Sequence, residues 1–442
     1  MDSVSVPPNS LEELDKVEGD LHVAHGAKIR AKDSEVKVSG TVEYEGDCTF
    51  ECSLSANSLR GRRGTINVEG DLVIERSIRI DEGSLSVGGS LSSRTVEVDR
   101  RLSVDKDLTV ESVQAGGRLR VGGNTKAKEI DVGGSFEAQG NVEAEKIDAG
   151  GSAKVEGATK GSHIDVGGTF HGKGKVEVAR IDVGGTFSTE SEILAEELHV
   201  GGTARVSGGD VRKRIDVGGT FESSNSLTFG SINVGGSVSL AGKCEGGRID
   251  VGGTLKTEGD LKFTDIDVGG VVKISGNADG DTIDVGGKLA IEKSLSLAGR
   301  LNVGGAAEAG EDIKAESISV GGSLEAQLAE AKDSVRVGGR IETVKGVKAA
   351  RVEIGREGRI RGPVVANEVL LRERAEADDI YSDSLTMEER SRARNVYAKS
   401  VYFERGCKIT GELQYTEEIR KEEGVQFAEE PRKTDKLPSP PI

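Results

Sequence analysis

The residue types in this chain best suited to chemistry are its glycine runs, its aspartates, five histidines and four cysteines. The octet "RIDVGGTF" stands at Arg180–Phe187 and again at Arg214–Phe221, and "RIDVGGTL" follows at Arg248–Leu255. A glycine-rich stretch can cradle phosphate, and "GGTFHGKG" places Gly167, Gly172 and Lys173 at the spacing of a phosphate loop. That loop also needs a hydroxyl after the lysine to bind the metal, with a helix beginning there. Gly174 occupies the position and no helical pattern follows, so nucleotide is not expected. The glycine pairs recur every 17 residues and not every nine, which separates them from calcium-binding nonapeptides.

Cys48 and Cys52 form a C-x3-C pair without the second pair that a structural zinc site requires, and Cys244 and Cys407 stand alone. All four read as buried thiols, which suit a reducing compartment. His22, His25, His163, His171 and His199 are scattered, and no serine–histidine–acid set stands out. A column of acids follows the repeat: Asp131, Asp148, Asp165, Asp182, Asp216, Asp250, Asp267 and Asp284, interrupted by His199, Asn233 and Asn302. Stacked carboxylates repel unless neutralised. Arg180, Arg214 and Arg248 precede Asp182, Asp216 and Asp250 by two residues, so interleaved ion pairs are expected rather than a cation site. A carbohydrate-active or acyl-transfer enzyme is the weaker alternative. Nearly every turn is too short to wall a pocket, and the 17-residue period contains no internal period of six. No enzyme activity, cofactor or metal is expected.

The elements that carry these residues follow from the period. Glycine pairs step by 17 from Gly116-Gly117 to Gly286-Gly287, by 18 to Gly304-Gly305, and by 17 again to Gly338-Gly339. Aligned three residues before each pair, and extended by similar apolar positions on both sides, 22 consecutive units run from Val42 to Glu418. Within a unit the apolar residues alternate: Ile215 and Val217, then Phe221, then Leu227 and Phe229. Alternation over short runs bounded by glycine is the signature of strands with one buried face. Three strands fit one unit, with six inward positions in 17, matching the 35% hydrophobic content. So short a unit cannot close a core alone and must stack on its copies. The expectation is an all-β, triangular parallel β-helix of about 17 residues per turn. The glycine pair would lie at a corner, where a positive φ costs glycine nothing.

Formal net charge is −17 with 31% charged residues, so neither nucleic acid nor an anionic membrane is an expected partner. The first 20 residues lack the basic and apolar regions of a secretory signal, and no apolar run reaches membrane-spanning length. A cytoplasmic location is expected.

The units "VEIGREGRIRGPVVANEVLLRERAEADDIYSDS" and "VYFERGCKITGELQYTEE" resemble those of bactofilins, polymer-forming cytoskeletal proteins. The likeness is best over Val352 to Glu418. The "IDVGG" array resembles them in unit length and pattern. The resemblance implies a right-handed β-helix that associates end to end into nonpolar filaments without nucleotide. Typical members are much shorter.

Residues 1–20 are read as a tail or cap, with Leu11–Val17 as a short helix. Residues 21–418 are read as a continuous β-helix, and 419–442 as a charged tail ending in prolines. The last turn of a β-helix exposes unpaired backbone groups that template another strand. The expected self-assembly residues are Leu21 and Val23 at one end and Leu413, Tyr415, Val425 and Phe427 at the other, with the chain itself as partner. The arginine-dense stretch from Arg351 to Arg405 is the expected place for an acidic protein partner. A monomeric scaffold that presents its charged ladders to a partner is the alternative.

Overall fold

The structure is a computed structural model that describes residues 3–442. Among them there is no helix; strands stack in parallel coils, a β-solenoid of about 25 turns with ~17 residues per turn. The coils fall into two compact units that divide between Ser224 and Asn225.

In the first unit, one coil shows how the repeat folds. Thr125–Val132 runs along two sides with a break at Lys128, and Ser135–Ala138 forms the next side. Ile130 pairs with Ile147, Phe136 with Ala153, and Thr125 with Val142, each 17 residues on. Alternate residues point inward, so like positions stack into columns. Ile130, Ile147, Ile164, Ile181, Leu198 and Ile215 form one, all buried. Phe136, Ala153, Phe170, Phe187, Ala204 and Phe221 form another, in which Phe170 and Phe187 stack with ring centroids 5.3 Å apart. Alanines between phenylalanines keep the summed volume of that column close to what the cross-section holds.

The glycine corners depart from expectation in their cause. No residue of the Gly-Gly pairs has a positive φ. What excludes a side chain is the coil below: a Cβ on Gly184 would lie 2.2 Å from the carbonyl oxygen of Gly167, and one on Gly185 2.6 Å from that of Gly168. The Gly185 and Thr186 N–H groups donate to the same Gly168 carbonyl at 3.0 and 3.1 Å. Close backbone approach, not left-handed conformation, selects glycine here.

A second corner is held by side chains that reach one coil on. The Asn124 N–H donates to Asp107 at 2.7 Å, the Asn141 N–H to Asn124 at 3.0 Å, and the Ala158 N–H to Asn141 at 2.8 Å. Each short polar side chain satisfies a turn N–H that the strands leave unpaired.

The second unit is built likewise up to Gly338-Gly339. Beyond it the first corner lengthens, from three residues between Val337 and Ile341 to five between Ile354 and Ile360. It now turns through left-handed residues: Glu357, Arg374, Arg390, Gly406 and Gly424, with φ of 58°, 57°, 57°, 72° and 77°. Over Phe229 and Phe263 the next coil carries a glycine in register. A Cβ on Gly246 would meet the Phe229 ring at 2.3 Å, and one on Gly280 the Phe263 ring at 2.3 Å. Tyr44 lies over Gly61 in the same way in the first unit.

Much of both expected tails joins the stack, up to Lys433 at the carboxyl end. Val4–Val6, Leu11–Glu13 and Lys16–Val17 form a first turn that pairs with Leu21–Val23, Lys28–Arg30 and Lys37–Val38. The expected helix over Leu11–Val17 is therefore absent. "LEELDKV" has helix-forming residues, but the neighbouring coil offers a row of backbone partners and an apolar floor, and that tertiary contact outweighs local preference. At the other end, Gln426–Phe427 and Arg432–Lys433 add strands beyond residue 418.

Candidate functional site

The outward charges form paired columns on one face. In the first unit Glu129, Lys146, His163, Arg180, Glu197 and Arg214 stack beside Asp131, Asp148, Asp165, Asp182, His199 and Asp216. Arg180 bridges Asp182 at 2.7 Å and Glu197 at 3.3 Å, Arg214 bridges Asp216 at 2.6 Å, and His199 lies 3.1 Å from Asp216. In the second unit Arg248 lies 3.5 Å from Asp250 and 3.7 Å from Asp267. Asp148, Asp182, Asp216, Asp250 and Asp267 are thus paired with cations within or between coils. Among the described residues no three His, Cys, Asp or Glu side chains converge on a metal position. All four cysteines are buried and free, and burial with the nearby Asp47 charge pushes the Cys48 thiol up to about 12, far from a reactive thiolate.

These pairings set an acid response. Hydrogen bonds from Lys154 and then Lys173 bring the Glu156 carboxyl down to about 2. Partial burial pushes Asp182 up, but the Arg180 hydrogen bond and charge outweigh it, and Asp379 is lowered chiefly by Arg394. Carboxyls depressed in the folded state stabilise it fully above the unfolded carboxylate range, near 4, and lose that contribution as pH falls toward the folded values. The melting temperature should hold near neutrality and drop between about pH 4.5 and 2. A flat profile over that range would show that the ladders add nothing to stability.

The arginine-dense stretch is similarly self-paired. Arg351 meets Glu368 at 2.6 Å, Arg359 meets Glu376 at 2.5 Å, and Arg394 meets Asp379 at 2.7 Å. Arg372 spans Glu353 and Glu388, both at 2.8 Å. Each bridge joins neighbouring coils. A shallow groove of about 830 Å³ crosses several coils of the second unit, floored by Ala315, Ala331 and Ala349 and edged by Lys314, Lys332 and Lys348.

That leaves the ends. Leu21 and Val23, expected at one end, are buried between Val4–Val6 and Val42–Tyr44. Leu413 is buried, and Tyr415 is half-buried between Ala398 and Lys433. Val425 and Phe427 do lie in the last coil; Phe427 sits edge-on to the buried Phe403 with ring centroids 5.5 Å apart. The outermost residues are Val4, Val6, Leu11, Glu12 and Val17 at one end and Ile419, Lys421, Phe427 and Lys433 at the other. Val4 and Val6 stand 17 residues before Leu21 and Val23, a signal that the repeat itself carried.

Several inward positions of these coils are charged. Glu12 pairs with Ile29, Lys421 with Phe403, and Lys433 with Tyr415. The Lys421 ammonium lies 5.3 Å from the Phe427 ring centroid, across the end of the core. After Thr434, whose N–H donates to the Tyr415 carbonyl at 2.8 Å, the chain bends at Asp435 and Lys436. It then runs back along the flank, and Ile442 Cδ1 reaches within 3.0 Å of where a Cβ on Gly346 would sit.

No family model, curated protein or solved structure matches the chain.

Proposed function

We propose that this is a structural protein that joins end to end with copies of itself, without nucleotide, into filaments or a scaffold. The observation that carries the reading is the state of the end coils. Val4–Val6, Leu11–Glu13 and Lys16–Val17 pair on one side only, as do Gln426–Phe427 and Arg432–Lys433, among the described residues. An open row of backbone donors and acceptors is a template for another strand. The resemblance of residues 352–418 to bactofilin units supports the same reading.

A monomeric scaffold is the second reading, favoured by the charges at Glu12, Lys421 and Lys433. Inward-pointing charge is a common guard on an edge. By position in the repeat, a copy that continued the stack in register would set Glu12 beside Glu429 and Lys16 beside Arg432. Like charges so placed repel, and salt screens them. Self-association is therefore expected to strengthen as salt rises, read by analytical ultracentrifugation and electron microscopy. Phe427→Arg should abolish it with the circular dichroism unchanged. Single rods at every protein and salt concentration would sink the reading in favour of the scaffold.

A further inference from the structure

The outward positions of the third side, the one that Leu295–Leu297 occupies, are polar or charged through most of the second unit: Ser296, Lys314, Glu330 and Lys348 follow one another. The next three are Val365, Tyr381 and Tyr397. The two tyrosine rings stack with centroids 4.8 Å apart. Tyr397 alternates with the inward Val396 and Ala398, so it points out, yet it is only 8% exposed. Its hydroxyl donates to Glu412, and its ring lies in register between Tyr381, on which it stacks, and Gln414.

The path of the last residues brings a further stretch of chain to the same side. Thr434 lies just past Lys433 at one corner of the third side. Ile442 lies at the opposite corner, beside Gly346 and Pro363. Val347, next to Gly346, stands four coils below Leu413 in one column, and Arg432–Lys433 lies one coil further. Five coils span about 24 Å, and nine extended residues reach about 30 Å. A chain that crosses from corner to corner over that distance must pass over the column of Val365, Tyr381 and Tyr397. Leu437 and Ile442 are half-buried along it, while Pro438, Pro440 and Pro441 face solvent. The segment makes no strand pairing beyond Lys433, so its side chains hold it in place.

We infer that the strip of Val365, Tyr381 and Tyr397 is a docking surface for an extended, proline-containing segment with aliphatic anchors at its ends, and that a second copy of this chain supplies the same segment in exchange for the internal one. Apolar and aromatic surface favours extended prolyl segments because little conformational entropy is lost. Exchange of an identical element between copies is a low-cost route to association. The bend at Asp435 and Lys436 is the hinge for it.

The test uses the full chain. Hydroxyl-radical footprinting of Leu437→Asp/Ile442→Asp, read by peptide mass spectrometry, should oxidise Tyr397 several-fold faster than in the wild type. A synthetic peptide of residues 434–442 should restore protection saturably, and the same peptide with aspartate at both anchors should not. Equal oxidation in both proteins, or no protection by the peptide, would overturn the docking surface. Mixed isotopically heavy and light wild-type chains, cross-linked between Lys436 and Lys399, should yield heavy–light pairs. Same-isotope pairs alone would confine the segment to its own chain and overturn the exchange. This outcome is independent of end-to-end joining, which Phe427→Arg reports on.

Discussion

Gly184→Asn is expected to destabilise the first unit by on the order of 3 kcal/mol, whereas Gly406→Asn should change the stability of the second by less than about 0.5 kcal/mol. Both are corner glycines, and the pair separates two reasons for glycine. Gly406 has a φ of 72° and its nearest neighbour to an added Cβ is Arg390 Cγ at 3.5 Å. Its corner already holds Glu357, Arg374 and Arg390 in the same left-handed region, and asparagine enters that region readily. Gly184 has no positive φ; an added Cβ there would meet the Gly167 carbonyl oxygen at 2.2 Å, and backbone cannot step aside without breaking the stack. Asparagine offers no relief at that position. Urea denaturation midpoints of the two variants decide the matter, and a Gly184→Asn protein as stable as the wild type would remove the stacking account.

The second large effect concerns the rings laid over glycines. Phe263→Ala should cost about 3 to 5 kcal/mol as a core truncation. Gly280→Val should cost about 1 to 3 kcal/mol, since its side chain would enter the space of the Phe263 ring, 2.3 Å from the Cβ position. The two losses share one volume. The double variant should be more stable than the summed singles imply by at least about 1 kcal/mol, because valine then fills the hole that alanine leaves. Strict additivity in a double-mutant cycle would show that ring and glycine are not coupled.

The solenoid and its inward columns were legible because one repeated contact fixes both. A residue such as Ile181 must be apolar for the same reason in every turn, so the period alone reveals the buried face. The corner glycines were found by the same period, but their cause lay in the adjacent coil and not in their own backbone, where a sequence reading looks first. The ends were misplaced for a related reason. Glu12 occupies a position that is Ile29 and Phe50 in the following turns, and a single charge there breaks the alternation that would mark a strand. At the other end, Leu437 and Ile442 are half-buried without a period, and the outward position of Tyr397 gives no sign in the sequence that the residue is buried.

Because each coil rests on its neighbours through the same register, adding or removing one whole copy of the 17-residue unit leaves every surviving contact with an equivalent partner. A deletion of, for instance, residues 147–163 within the first unit would set Ile164 on Ile130 and Phe170 on Phe136. Within that unit the coils are graduated in steps of about 4.8 Å. Its span can be altered by genetic duplication or loss in whole steps, while a shift of one residue would turn the inner face outward.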